Sequence, residues 1–299
     1  MKQRHYRYPG LVFALLILLP LTAGAQSRTD CNAIPSRILK RAVHYCVQLP
    51  PDYDAPASKQ HRYPVLYFLH GLGQNEQTLF NTGGWSLIED LRRQHKIIDF
   101  LIVAPDGGRS FYINSADNSL RYSDFFLQEF MPYIESRYRI RPGREGRTIT
   151  GVSMGGYGAL RFAFAHPDLF SAVSAQSAAL ITQTPQELSA AGQSNGSLGR
   201  VLAQAFGQPI SLPHWKQNSV FALARANQAD LKRLAIYFNC GQNDDFGFED
   251  GAAALHQQLQ AEGVKHEYHS YPGDHSVTYF LSHMGEVMEF HSRAFAEHK

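Results

Sequence analysis

Residues 147–165 read RTITGVSMGGYGALRFAFA, and this stretch decides the fold. Arg147 to Val152 is a short run of strand-forming residues, and Met154 to Ala165 is a helix built from small and apolar ones. Between them stands Gly151-x-Ser153-x-Gly155. A chain that turns directly from strand to helix is strained at the turn residue. Glycines two before and two after remove the Cβ clashes such a turn would create. The turn lifts the Ser153 hydroxyl above the sheet. The N-terminus of the following helix lies beneath it and favours developing negative charge.

Outward from this turn, strand and helix patterns alternate. Val43 to Leu49 has strand composition. Tyr63 to His70 and Ile97 to Ala104 are nearly continuous apolar runs, as in strands buried on both faces. Trp85 to Gln94 reads as a helix, and Ser123 to Tyr138 carries Phe126, Phe130, Ile134 and Tyr138 at helical spacing. Phe170 to Ser174, Leu234 to Asn239 and Lys265 to Tyr271 read as strands. Gly251 to Glu262 and Ser276 to Ala296 read as helices. The alternation predicts an α/β domain over residues 30–299, with a doubly wound, mostly parallel sheet. Residues 178–228 interrupt it with a long segment rich in Gln, Ser, Gly and Asn. Connections of that length in compact domains are usually functional, so the segment is expected to form a cap-like insertion over the site.

A serine hydroxyl needs a base, and the base needs an orienting acid. With Ser153 at a strand–helix elbow, the acid follows on a late strand and the histidine near the end. The strand ending at Asn239 runs into Gly241-Gln242-Asn243-Asp244-Asp245, and either aspartate is a candidate acid. His275 follows the last strand on Pro272-Gly273-Asp274. Of the 14 histidines, His256, His283 and His291 lie in helices. His266 and His269 are three apart on a strand, hence on opposite faces and ill-placed as a metal pair. The oxyanion donors expected are the Met154 amide and an amide from the loop His70-Gly71-Leu72-Gly73. That position makes His70 part of the oxyanion loop and not the base.

The amino terminus reads as an export signal. Lys2, Arg4 and Arg7 precede an apolar core from Leu11 to Leu21, and Ala23-Gly24-Ala25 supplies a cleavage site. The apolar run is well short of the ~20 residues of a membrane span, so no stable anchor is expected after cleavage of residues 1–25. Charged Arg28-Thr29-Asp30 before Cys31 argues against a lipoprotein. Cleavage leaves 274 residues with a formal charge of −1, which disfavours a nucleic-acid partner. Three cysteines exclude a disulfide-dense scaffold and a four-cysteine zinc module. In an oxidising compartment, periplasmic or extracellular, Cys31 and Cys46 are free to pair. Cys240 sits in an apolar run as a buried small hydrophobe.

Leu69-His70-Gly71-Leu72, Pro105-Asp106-Gly107 with Phe111-Tyr112, Gly151 to Gly156, Gly241-x-x-Asp244 and Gly273-x-His275 resemble, in this order, the esterase D-like branch of α/β-hydrolases. That group includes S-formylglutathione hydrolases, feruloyl and acetyl esterases, and mycolyltransferases. The resemblance covers about residues 35–295. It implies an α/β-hydrolase fold, with Ser153 as nucleophile, His275 as base, Asp244 as acid, and the Leu72 and Met154 amides as oxyanion hole. The mycolyltransferases place Arg where Gly73 stands and use Glu as the acid. S-formylglutathione hydrolases work in the cytosol, unlike an exported chain. What remains is an exported serine carboxylesterase that needs no cofactor and no metal. Its substrate would be a small-molecule or carbohydrate-linked ester, with Phe111, Tyr112 and Trp215 as candidate pocket residues. The alternatives are an acyltransferase that passes the acyl group to a sugar or lipid alcohol, and a non-catalytic binding module on the same scaffold.

Overall fold

The computed structural model describes residues 27–190 and 197–297. The export-signal reading of residues 1–25 lies outside the described residues. Eight strands form one sheet in the order β1-β2-β4-β3-β5-β6-β7-β8. These are β1 (Arg28–Ser36), β2 (Arg41–Leu49), β3 (Val65–Leu69), β4 (Leu101–Pro105), β5 (Arg147–Val152), β6 (Ala172–Gln176), β7 (Ala235–Gly241) and β8 (Glu267–Tyr271). β1 and β2 pair antiparallel, as do β2 and β4; every other pair is parallel.

The helices lie on both faces, the arrangement that buries parallel strands. The short α1 (Thr78–Asn81) leads into α2 (Gly84–Arg93). Between β4 and β5, α3 (Tyr122–Phe125) and α4 (Met131–Arg137) are joined by a π-type stretch over Phe126–Phe130. α5 (Met154–Ala165) follows β5. Between β6 and β7 come α6 (Pro185–Ala190), α7 (Ser197–Phe206), α8 (Leu212–Gln217), α9 (Val220–Ala226) and α10 (Gln228–Leu231). α11 (Phe248–Ala261) and α12 (Val277–Ala296) flank β8.

Alternation along the central strands explains the layering. Val65, Tyr67, Leu69, Leu101 and Val103 point into a core shared with α4 and α5. Leu66, Phe68, Ile102 and Ala104 point the other way, against Trp85, Ile88 and Leu91 of α2 and the apolar face of α12. Each of the valine, leucine, isoleucine and phenylalanine side chains contributes about 1.5–3 kcal/mol by leaving water.

Two departures from the sequence reading have physical causes. The apolar run from Ile97 becomes strand only at Leu101, because the Ile98 amide donates to Ser292 Oγ (2.9 Å) and not to a neighbouring strand. β1 is an edge strand whose side chains are mostly exposed, so it carries no apolar alternation. It is fixed instead by its register, in which Cys31 lies opposite Cys46. The two form a disulfide. Cys240 is buried with a free thiol. No described helix is long and apolar enough to cross a membrane.

A polar thread crosses the core behind β5. Thr150 Oγ1 lies 2.6 Å from Ser174 Oγ, which in turn lies 2.8 Å from His291 Nε2 of α12. The His291 ring is fully buried, and that burial holds its pKa down at about 3.

Two predictions follow from these packings. Replacing Cys31 and Cys46 together with serine frees an edge hairpin whose loop spans 15 residues. Urea unfolding of the oxidised protein and the double variant should differ by up to about 3 kcal/mol; equal midpoints would show the bridge to be idle. For His291, an unfolded chain takes up a proton near pH 6.5 that the folded one refuses until about 3. The unfolded state thus binds more protons within that window, and stability falls as pH drops through it, by at most about 1.4 kcal/mol per pH unit. His291→Gln should flatten this slope between pH 6 and 4, as read by denaturant unfolding at each pH; parallel slopes would refute it.

Candidate active site

The functional side chains converge because the strands β3, β5, β6, β7 and β8 all end at one edge of the sheet. Ser153 follows β5 with φ 55° and ψ −119°, a positive φ that a residue with a side chain adopts only under constraint. Three backbone hydrogen bonds hold it: Ser153 N–H to Gln176 O (2.9 Å), and Tyr157 and Ala179 N–H to Ser153 O (both 3.0 Å). The flanking glycines are required by space. A Cβ on Gly151 would stand 2.3 Å from the Gly155 carbonyl, and one on Gly155 would stand 2.0 Å from Leu69 O.

His275 is brought to Ser153 by a second close approach. A Cβ on Gly241 would meet Gly273 O at 2.6 Å, and Asn243 N–H donates to that same carbonyl (3.0 Å). The end of β7 and the loop after β8 are thereby locked together. His275 Nε2 lies 2.9 Å from Ser153 Oγ, and His275 Nδ1 lies 2.6 Å from Asp244 Oδ2. An ionised carboxylate only accepts, so Nδ1 carries the proton and Nε2 presents its lone pair to the serine hydroxyl.

The two adjacent aspartates do different things. Asp244 holds the imidazole, and its Oδ1 accepts from Phe246 N–H (3.0 Å). Burial pushes the Asp244 carboxyl up, but its bond to His275, the imidazole charge and the Phe246 amide outweigh this and hold it below the usual range. Asp245 accepts instead from the backbone N–H of His275 (3.2 Å). Cys240 Sγ lies 3.7 Å from Asp244 Oδ2 and 3.6 Å from Ser177 Oγ. Burial raises this thiol to about 12, so it stays a protonated neighbour of the carboxylate.

The His70 loop is pinned from below. His70 is fully buried; its Nδ1 donates to Gly71 O (2.8 Å) and its Nε2 accepts from Gly107 N–H (2.8 Å). Gln74 Oε1 accepts from Gly71 N–H (2.9 Å). That bond occupies the Gly71 amide. Leu72 and Met154 both line the Ser153 pocket, a cavity of about 250 Å³.

Of the three candidate pocket residues, only Phe111 lines the cavity at Ser153. Tyr112 is fully buried beneath it, wedged against Gly107 and Gly158, with its hydroxyl donating to His70 O (3.0 Å). Trp215 stands one layer out. Its ring packs 4.7 Å from Phe206 and lines a separate small apolar chamber, which shares only Phe111 and Ala179 with the Ser153 cavity. Within residues 178–228, Ala179 therefore borders the cavity directly, while Trp215 and Phe221 line the neighbouring chamber. Sequence reasoning missed Gln74, Phe246, Phe248, Val277 and Phe280, which also face the cavity. The available signal was their nearness to assigned residues: Gln74 three after Gly71, and Phe246 and Phe248 just past Asp244.

Comparison with known proteins places the chain. An esterase family model, described as "Putative esterase", matches residues 36–290. An esterase of Mycobacterium tuberculosis is 28% identical over 246 residues, 77% of this chain and 51% of the relative. The chain thus spans about half the length of that protein. An acetyl esterase of Caldicellulosiruptor saccharolyticus is 27% identical over 271 residues, covering 86% of this chain and 96% of the relative. Among solved structures, a ferulic acid esterase aligns with a TM-score of 0.76 and 27% identity, over 90% of this chain and 99% of that one. An S-formylglutathione hydrolase of Staphylococcus aureus shares the fold, with a TM-score of 0.72 and 22% identity over 88% of this chain and 98% of that one.

The two aspartates yield a test of register. Asp244→Asn should lower kcat for ester hydrolysis by roughly 10⁴, because the imidazole loses its tautomer and its counter-charge. Asp245→Asn only exchanges a charged acceptor for a neutral one facing the His275 backbone amide, worth about tenfold or less. Steady-state kinetics of both variants on one ester decide it: the reverse order would move the acid to Asp245.

Proposed function

We propose, from the premise that the chain belongs to this esterase family, that the protein is an exported serine carboxylesterase acting through an acyl-enzyme. The observation that carries the reading is the His275 imidazole, hydrogen-bonded to Ser153 Oγ on one side and Asp244 Oδ2 on the other. In the reaction, His275 Nε2 takes the hydroxyl proton as Ser153 Oγ attacks the ester carbonyl. Negative charge develops on the carbonyl oxygen, and the Leu72 and Met154 amides are its donors. The imidazolium then gives its proton to the leaving alcohol. Water repeats the sequence on the acyl-enzyme and restores Ser153. Asp244 remains a carboxylate throughout and stabilises the imidazolium, in keeping with its lowered pKa.

Export is supported by the signal-like reading of residues 1–25 and by the Cys31–Cys46 bridge, a linkage that persists in oxidising compartments. The short cap reading of residues 178–228 is supported by Ala179 at the cavity wall.

The nucleophile is tested directly. Ser153→Ala should fold with an unchanged thermal midpoint, lose about 10⁶ in kcat on p-nitrophenyl acetate, and fail to take up a fluorophosphonate probe. Normal turnover by the folded variant would remove Ser153 from the mechanism.

A further inference from the structure

Three large hydrophobic side chains are exposed among the described residues: Phe80 at 63%, Phe246 at 54% and Val277 at 40%. Scattered singly, such residues mean little. Two of these stand together. Phe246 and Val277 line the Ser153 cavity. Val277 and Phe280 also line an adjoining crevice with Thr78 and Leu79 of α1. The mouth of the cavity is therefore apolar on the side where His275 sits.

Stereochemistry decides which half of an ester meets that side. In the tetrahedral adduct on Ser153, the oxyanion points to the Leu72 and Met154 amides. The leaving oxygen must lie within reach of His275 Nε2, from which it takes its proton. Its carbon substituent must then leave past the groups that flank the imidazole. Those are the ring of Phe246, 4.8 Å away and edge-on, with Phe280 at 5.3 Å and Phe248 at 5.5 Å. The cavity lining contains no Asp, Glu, Lys or Arg, and its one side-chain amide, Gln74, is already bonded to Gly71 through Oε1. A hydroxyl-rich alcohol would exchange water for aromatic edges there, whereas an apolar one would cover exposed rings.

We infer that the ester's alcohol half is an apolar alkyl or aryl alcohol, and that Phe246 is the side chain that selects it. This rests on the esterase reading of Ser153 and narrows it: the carbohydrate-linked ester is disfavoured on the alcohol side, with the acyl half left to the Phe111–Ala179 wall.

The test holds the acid constant and varies the alcohol. Methyl acetate and benzyl acetate release alcohols of similar acidity, so a difference in kcat/KM reports binding of the alcohol group and not its leaving ability. Benzyl acetate should exceed methyl acetate, and also acetylated xylotriose, by about tenfold or more. In Phe246→Ser the benzyl-to-methyl ratio should fall at least about fivefold, and Phe246→Leu should restore most of it. Because the measure is a ratio, general loss of support for His275 cancels. Because Phe246 is exposed, a thermal midpoint near that of the parent is expected for both variants. An unmoved ratio, a preference for acetylated xylotriose, or a shift in the methyl phenylacetate-to-methyl acetate ratio in its place would each overturn the inference. In those cases fluorophosphonate labelling of Ser153 and turnover of some ester leave the esterase reading standing. Failure of both labelling and turnover would instead bring down that reading and this one together.

Discussion

Backbone crossings with no room for a methyl group set the geometry of the molecule. Gly155 rides on the Leu69 carbonyl, Gly151 on Gly155, and Gly241 on Gly273. The first two crossings force the turn at Ser153 and press the start of α5 against the end of β3, where the His70 loop begins. The third ties the acid loop after β7 to the histidine loop after β8. A side chain at any of these glycines would have to displace backbone, and displacement of even an ångström at a serine–imidazole contact removes its alignment. The sheet supplies the rigid edge, and these contacts convert that edge into one site. The strained Ser153 backbone is held where it is by its amide and carbonyl partners on β6 and just beyond it, so its conformation depends on the whole parallel core being formed.

Most of this frame was legible in the sequence, because its causes are local. Buried parallel strands must be apolar on both faces, and a strand–helix elbow must have its glycines. The long runs of β3 and β4 and the stretch around Ser153 therefore announced themselves. β1 did not, since an exposed edge strand needs no apolar alternation and is fixed by its partner and a disulfide. The choice between Asp244 and Asp245 was likewise beyond local reading. In the structure Asp244 meets the ring nitrogen and Asp245 meets the backbone amide. Tyr112 and Trp215 stand outside the Ser153 cavity, since an aromatic residue is as often the foundation of a site as its wall. Two glycines without side chains, Gly107 and Gly158, make the slot into which Tyr112 drops.

The surroundings of Asp244 show how the pair is balanced. A buried carboxylate raises its own pKa unless enough donors face it. Here the imidazole, the Phe246 amide and the reluctant Cys240 thiol stand around one group. The aromatic edges around His275 exclude water from the pair without competing for its hydrogen bonds. In that low-dielectric setting the attraction between imidazolium and carboxylate is stronger than it would be in water, and it is present only while the proton resides on the ring.

The two histidines at this edge of the sheet make the same point by contrast. Hydrogen-bond partners give His70 and His275 the same tautomer, with the proton on Nδ1: His70 donates to a carbonyl, and His275 donates to a carboxylate. Their Nε2 atoms differ. That of His70 is occupied by the Gly107 amide inside a fully buried ring, with Asp106 Oδ1 3.6 Å away. That of His275 faces a hydroxyl that can surrender its proton, with a carboxylate already in place behind the ring. One imidazole is thereby a pin that joins the loops after β3 and β4, and the other is free to act as a base. The difference lies wholly in what each lone pair meets, and it is the backbone crossings at the strand ends that determine this.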